Sequence, residues 1–121
     1  DDSDLENGCM EVIPGSHRNG LLHCRESKQE ENNVLNQTID SKSDWPDPVP
    51  LCLEAGEISI HSGLLIHGSN PNKSHRRRCG LTLRYCPPEV RAAESWNKKG
   101  VWVIGGDPEN HWFNARRPAL D

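Results

Sequence analysis

The 121 residues, 13.6 kDa in all, make at most one ordinary domain with one modest core, because a chain this size buries about two-thirds of the surface its unfolded form exposes. A formal charge of -4, a pI near 5.8 and only 5% aromatic residues exclude a generally basic nucleic-acid binder, and no apolar run approaches the roughly 18 to 20 residues of a membrane-spanning helix. With 33% hydrophobic and 26% charged residues and a mean hydropathy of -0.80, the composition predicts a soluble acidic protein on the polar side of the globular range.

Five cysteines, Cys9, Cys24, Cys52, Cys79 and Cys86, form an odd set without a CxxC pair. That pattern predicts reduced thiols in a cytoplasm rather than a secreted disulfide framework or a zinc ribbon, and their irregular spacing argues against a Cys/His zinc site. The sequence opens on the acidic turn DDSDLENG with neither an initiator Met nor signal-peptide architecture, which predicts a fragment of a longer protein.

In chain order, CMEVI at 9–13 reads as a strand bounded by Asn7-Gly8 and Pro14-Gly15. Gly8 and Gly15 are expected where a turn needs positive φ or a close approach. Residues 24–48 hold few large apolar side chains and predict a long surface excursion with one helical turn around 34–39. Leu51 and Leu53, then Ile58 and Ile60, alternate around Ala55-Gly56 and predict a hairpin. LLIHG at 64–68 and LTLRYC at 81–86 predict two more strands, joined by the polar loop SNPNKSHRRR and ended by Pro87-Pro88. VWVIGG at 101–106 predicts an edge strand, followed by a covering tail. Short strands with frequent turn signals and no long amphipathic helix predict an all-β sandwich or barrel.

The stretch with most chemistry is GEISIHSGLLIHGSNPNKSHRRRCGLTLRY at 56–85. His67 follows an apolar strand and is the candidate metal ligand, since imidazole suits Fe(II) and a site of two His and one carboxylate leaves open positions for a cosubstrate and dioxygen. A histidine hydrogen-bonded within a β core is the alternative. Arg78 lies eleven residues on, far enough for a turn and the start of an antiparallel neighbour, so its guanidinium can return beside His67 and clamp a carboxylate with help from the Ser69 hydroxyl. A solvated basic loop is the alternative for Arg76, Arg77 and Arg78, and the triad is an island in an acidic chain with no aromatic platform for nucleic acid. His61 is expected as a hydrogen-bonded strand residue or at the site entrance, and His17 in a turn, while His23, His75 and His111 are expected to face solvent.

The strings ENGCMEVIPGSHRNG and AGEISIHSGLLIHGSNPNKSHRRRCGLTLRYCP, in this order over most of residues 1–88, resemble the phytanoyl-CoA dioxygenase (PhyH) family of Fe(II)- and 2-oxoglutarate-dependent oxygenases. The resemblance implies the C-terminal portion of a double-stranded β-helix, a jelly-roll or cupin-like barrel of two facing sheets, over 1–88, with an extension at 89–121 packing on it. It implies that His67 is the distal iron ligand and that Arg78 binds the C5 carboxylate of 2-oxoglutarate with Ser69 assisting. It further implies hydroxylation of a small organic substrate by dioxygen, with release of succinate and carbon dioxide, and an excursion carrying Trp45 at the substrate entrance. The family's HxD string, which supplies the other two iron ligands, is absent: none of the six histidines is followed at the second position by Asp or Glu. The expectation is that Asp1 falls just after the strands that carry it, and that the isolated residues expose sheet edges those strands cover. A non-catalytic β-helix that binds a ligand or partner is the alternative function, and a cupin-like isomerase or sugar-binding domain finds no support around Arg78.

Overall fold

The structure is a computed structural model that describes residues 1–28, 31, 36–40, 42, 44–93 and 111–112. The chain is all-β: among the described residues there are five short strands, β1 (Met10–Val12), β2 (Arg25–Glu26), β3 (Gln37–Thr38), β4 (Val49–Pro50) and β5 (His67–Ser69), a 3-10 turn at Ser16–Asn19, and no α-helix. No helix among them is long and apolar enough to cross a membrane. The chain divides into two compact units, Asp1–Gly80 and Leu81–Asp121.

In the first unit β1 is the centre of a three-stranded antiparallel sheet in the order β4-β1-β5. Its register sets Glu11 opposite Pro50 and Val12 opposite Val49 on one side. On the other side Met10, Glu11 and Val12 face Ser69, Gly68 and His67. Pro50 is tolerated because its missing amide falls between the ladder bonds: the Leu51 amide donates to the Met10 carbonyl at 2.8 Å, so Met10 and Leu51 are a hydrogen-bonded pair and Glu11 and Pro50 are not. Beyond β4, Leu53 changes partner and exchanges both backbone bonds with Ser3, at 2.8 and 2.9 Å.

The switch of partner leaves residues 4–8 as a turn that the Asn-Gly dipeptide builds. Asn7 is fully buried, and its side chain accepts from the Asp4 amide and donates to the Asp2 carbonyl, both at 2.8 Å. The Asp4 carboxylate returns the bond by accepting from the Glu6 and Asn7 amides at 3.0 and 3.1 Å. A buried amide side chain left without such partners would cost about 1 to 3 kcal/mol, so this turn accepts few replacements for Asn7. Gly8 follows at φ +75, and a Cβ there would sit 2.3 Å from the Asn70 carbonyl oxygen. Both conditions foreseen for Gly8, positive φ and close approach, therefore hold at once. Around this turn lie the buried residues Asn7, Cys9, Val12 and Ser16, a small core with polar members at its edge.

Several expected elements differ. The excursion at 24–48 holds a two-stranded ribbon, with Arg25 opposite Thr38 and Glu26 opposite Gln37. Arg25 fastens it with bonds to Glu31 at 2.6 Å and to Asp40 at 2.7 Å, so ion pairing replaces the apolar core the segment lacks. That pairing holds the Glu31 carboxyl at about 2. The helical turn expected around 34–39 is absent at Gln37–Thr38, which are strand, while 34 and 35 lie outside the described residues. Ala55-Gly56 does form a turn, with Gly56 at φ +98 and the Glu57 amide donating to the Glu54 carbonyl, but 57–60 is not a strand. LTLRYC at 81–86 is not a strand either. Alternation alone does not make a ladder, and with no partner among the described residues Ile58, Ile60, Leu81, Leu83 and Tyr85 stay exposed at 61% to 91%. VWVIGG at 101–106 lies outside the described residues.

In the second unit Pro87-Pro88 starts a turn closed by the Val90 amide on the Pro87 carbonyl. His111, expected in solvent, is half-buried: its Nε2 accepts from the Ala92 amide at 3.0 Å and its ring meets Trp112 edge-on at 5.2 Å.

Candidate metal and carboxylate site

The two strings that carry the sequence resemblance are zipped together, and their contacts position His67. The Ile13 amide donates to the Ile66 carbonyl at 2.9 Å, and the buried Ser16 hydroxyl accepts from the Ile66 amide at 2.9 Å, so both polar backbone groups of Ile66 are held by residues 13–16. Past β5, Asn70 Nδ2 donates to Glu11 Oε2 at 2.8 Å, and the Lys73 amide donates to the Glu6 carbonyl. Ser16 was not singled out from sequence. A hydroxyl beside a glycine turn at the end of an apolar strand is its only local signal.

Alternation along β5 puts His67 and Ser69 on one face, together with Met10 and Val12 opposite them. Gly68, Asn70, Glu11 and Cys9 belong to the other face. The His67 ring is exposed, and its Nδ1 lies 2.8 Å from the Leu65 carbonyl. A carbonyl only accepts, so Nδ1 carries a proton in this contact, which leaves Nε2 as the nitrogen whose lone pair a metal could take. His61 stands beside His67, ring centroids 5.6 Å apart and tilted by 59°, exposed and outside any strand, so the expected strand position does not hold.

The arginine triad divides by partner. Arg76 forks onto both Asp4 oxygens at 2.7 and 2.9 Å and also approaches Glu6 at 3.5 Å, while Arg77 holds the Asp1 carboxylate at 2.8 and 3.0 Å. Both arginines are exposed, so the loop is solvated and basic as the alternative had it, with these two members held by carboxylates. Arg78 is exposed and has no ion pair or hydrogen bond among the described residues. Its expected return beside His67 rested on a strand at 81–86; with that strand unformed, no ladder sets the distance, and no bond joins Arg78 or Ser69 to His67.

The Arg76 fork, followed by the Asn7 amide, holds the Asp4 carboxyl below its ordinary 3.8. A depressed carboxyl stabilises the fold fully above the unfolded value and loses that contribution as pH falls through the folded one, so the 4–8 turn should loosen only below about pH 4. An NMR titration should place the Asp4 midpoint below 3.8 and return it towards 3.8 in Arg76→Gln. An unmoved midpoint would mean that the fork does not persist in solution.

Among the described residues no three His, Cys, Asp or Glu side chains gather as a metal site. A three-ligand site that included His67 would therefore need ligands beyond these residues.

Comparison with known proteins matches residues 1–80 to the family model described as phytanoyl-CoA dioxygenase (PhyH). Phytanoyl-CoA dioxygenase 1 of Oryza sativa subsp. japonica is 33% identical over 110 residues, which are 85% of this chain and 34% of the relative. Phytanoyl-CoA dioxygenase of Arabidopsis thaliana is 35% identical over 83 residues, 69% of this chain and 29% of the relative. A probable alpha-ketoglutarate-dependent hypophosphite dioxygenase of Stutzerimonas stutzeri is 29% identical over 107 residues, 87% of this chain and 36% of the relative. The chain thus spans about a third of the length of the curated relatives it matches. No solved structure matches it. The matched span holds both the buried Asn-Gly turn and the pairing of β1 with β5 that includes His67, and on that match the chain belongs to the phytanoyl-CoA dioxygenase (PhyH) family.

Proposed function

We propose that these residues form the downstream part, over 1–88, of the double-stranded β-helix of an Fe(II)- and 2-oxoglutarate-dependent dioxygenase, with 89–121 as an extension packing on it. The observation that carries the reading is the open Nε2 of His67, on a strand that pairs with β1 and whose Ile66 amide and carbonyl are held by the family's other string. In this reading His67 supplies one iron ligand, and the HxD string of the whole protein supplies two. Arg78, the member of the triad left unpaired among the described residues, grips the C5 carboxylate of 2-oxoglutarate, and the Ser69 hydroxyl donates to the same group. Bound iron supplies the oxidising chemistry with dioxygen, for which the products are a hydroxylated small molecule, succinate and carbon dioxide. Relatives named for phytanoyl-CoA and for hypophosphite align over this same segment, so we place the shared cosubstrate machinery here and substrate selection in other parts of the protein. A cytoplasmic location accords with five free cysteines.

The test is Arg78→Ala in the intact protein that carries this region. Losing a charged fork on a carboxylate should raise the 2-oxoglutarate concentration for half-maximal turnover on the order of 100-fold, with Arg76→Ala affecting stability instead. An unchanged requirement would remove Arg78 from the site. The rival, a binding scaffold without redox chemistry, is favoured by the lack of a three-ligand cluster among the described residues, and it requires that the intact protein consume no 2-oxoglutarate at all.

A further inference from the structure

Cys9 and Cys52 face each other across the β1–β4 ladder, on the side of the sheet away from His67. Continuing the register of Glu11 with Pro50 one pair beyond Met10 and Leu51 sets Cys9 opposite Cys52. Because Met10 and Leu51 are hydrogen-bonded, the cysteine pair occupies a non-hydrogen-bonded position, where opposed Cα atoms come to about 4.5 Å and side chains lie closest. That spacing is inside the range that disulfide geometry allows. The two Sγ atoms are already 4.0 Å apart. The partners differ in access: Cys9 is 2% exposed, whereas Cys52 is open to solvent.

We propose that Cys9 and Cys52 are an oxidative modification site, at which hydrogen peroxide or a related hydroperoxide converts the two thiols into a cross-strand disulfide that ties β4 to β1. Cys52 reacts first because it alone is accessible: its thiolate attacks the peroxide, the O–O bond breaks, and Cys52 becomes a sulfenic acid with release of water. The Cys9 sulfur then attacks the Cys52 sulfur, forming the S–S bond and expelling hydroxide, which takes the Cys9 proton to leave as a second water. Two thiols and one peroxide thus give one disulfide and two waters. Burial and then the neighbouring Cys52 push the Cys9 thiol pKa up, which fits the order of the two steps. Cys24, Cys79 and Cys86 are exposed, and among the described residues no strand pairing sets another thiol opposite them.

The experiment treats the intact protein, freed of metal by a chelator, with an equimolar pulse of hydrogen peroxide and maps cysteine-containing peptides by mass spectrometry. A peptide pair linking Cys9 to Cys52, lighter by two hydrogens and released by a thiol reductant, is expected to carry most of the modified Cys52. In Cys9→Ser the Cys52 sulfenic acid should accumulate and be trapped by a dione reagent. In Cys52→Ser the Cys9 thiol should stay unmodified. Oxidation of Cys52 to the sulfinic acid in the unsubstituted protein without a linked peptide, or its pairing with another cysteine, would overturn the proposal. The outcome is independent of whether His67 ligates iron, since the pair lies on the opposite face.

Discussion

Gly8→Ala should destabilise the Asp1–Gly80 unit by about 3 kcal/mol or more, well above an ordinary surface change. Two costs combine. At φ +75 any Cβ meets the left-handed penalty, on the order of 1 kcal/mol. The added carbon would also stand 2.3 Å from the Asn70 oxygen, which is backbone and has no rotamer by which to yield. The chain must therefore part at the contact that joins the Asn-Gly turn to the loop after β5. Gly15→Ala separates the two costs, because Gly15 has φ +79 but nothing within 4 Å of its Cβ position. Urea unfolding of the intact protein should show the Gly8 variant losing roughly three times what the Gly15 variant loses. Equal losses would mean that the turn and the loop are not pressed together as described.

His67→Ala should abolish 2-oxoglutarate-dependent succinate formation in the intact protein. Loss of an outer partner of a metal site costs roughly 10- to 100-fold, and loss of a ligand from a three-ligand site should exceed that. His61→Ala is the appropriate comparison, since its ring is only 5.6 Å from that of His67 and it is equally exposed. Its turnover should persist, with any change confined to substrate handling. Retained turnover in the His67 variant would refute its role, and loss in His61 alone would transfer the ligand to the neighbouring ring.

The turns were the most legible part of the fold, because Asn7-Gly8 and Pro14-Gly15 are backbone instructions that need no distant partner. CMEVI could be placed as a strand since those turns bound it on both sides, and β1 occupies its middle. The segments 57–60 and 81–86 show the converse. Their alternation marks a face to be covered, but a ladder forms only against a partner, and alternation does not say where the partner lies. The ribbon of β2 and β3 escaped notice for a related reason: Arg25 holds it through Glu31 and Asp40, six and fifteen residues away, a pairing without periodic signature.

At the candidate site, His67 and Ser69 were readable from their string, and β5 sets them on one face. The division of labour among Arg76, Arg77 and Arg78 was not readable. It depends on carboxylates at the far end of the chain, Asp4 and Asp1, that only the fold brings to the triad. The same is true of Ser16, whose hydroxyl takes the Ile66 amide fifty residues on. Such long-range polar contacts tie the first residues of the chain and the PGSH turn to the segment around His67.

Ferrous iron binding decides whether that imidazole is a ligand. An anaerobic Fe(II) titration of the intact protein, unsubstituted and as His67→Ala, should give near-stoichiometric binding in the first and a loss of affinity of at least 100-fold in the second. Equal iron affinity in the two proteins would contradict the account and leave His67 an exposed strand residue.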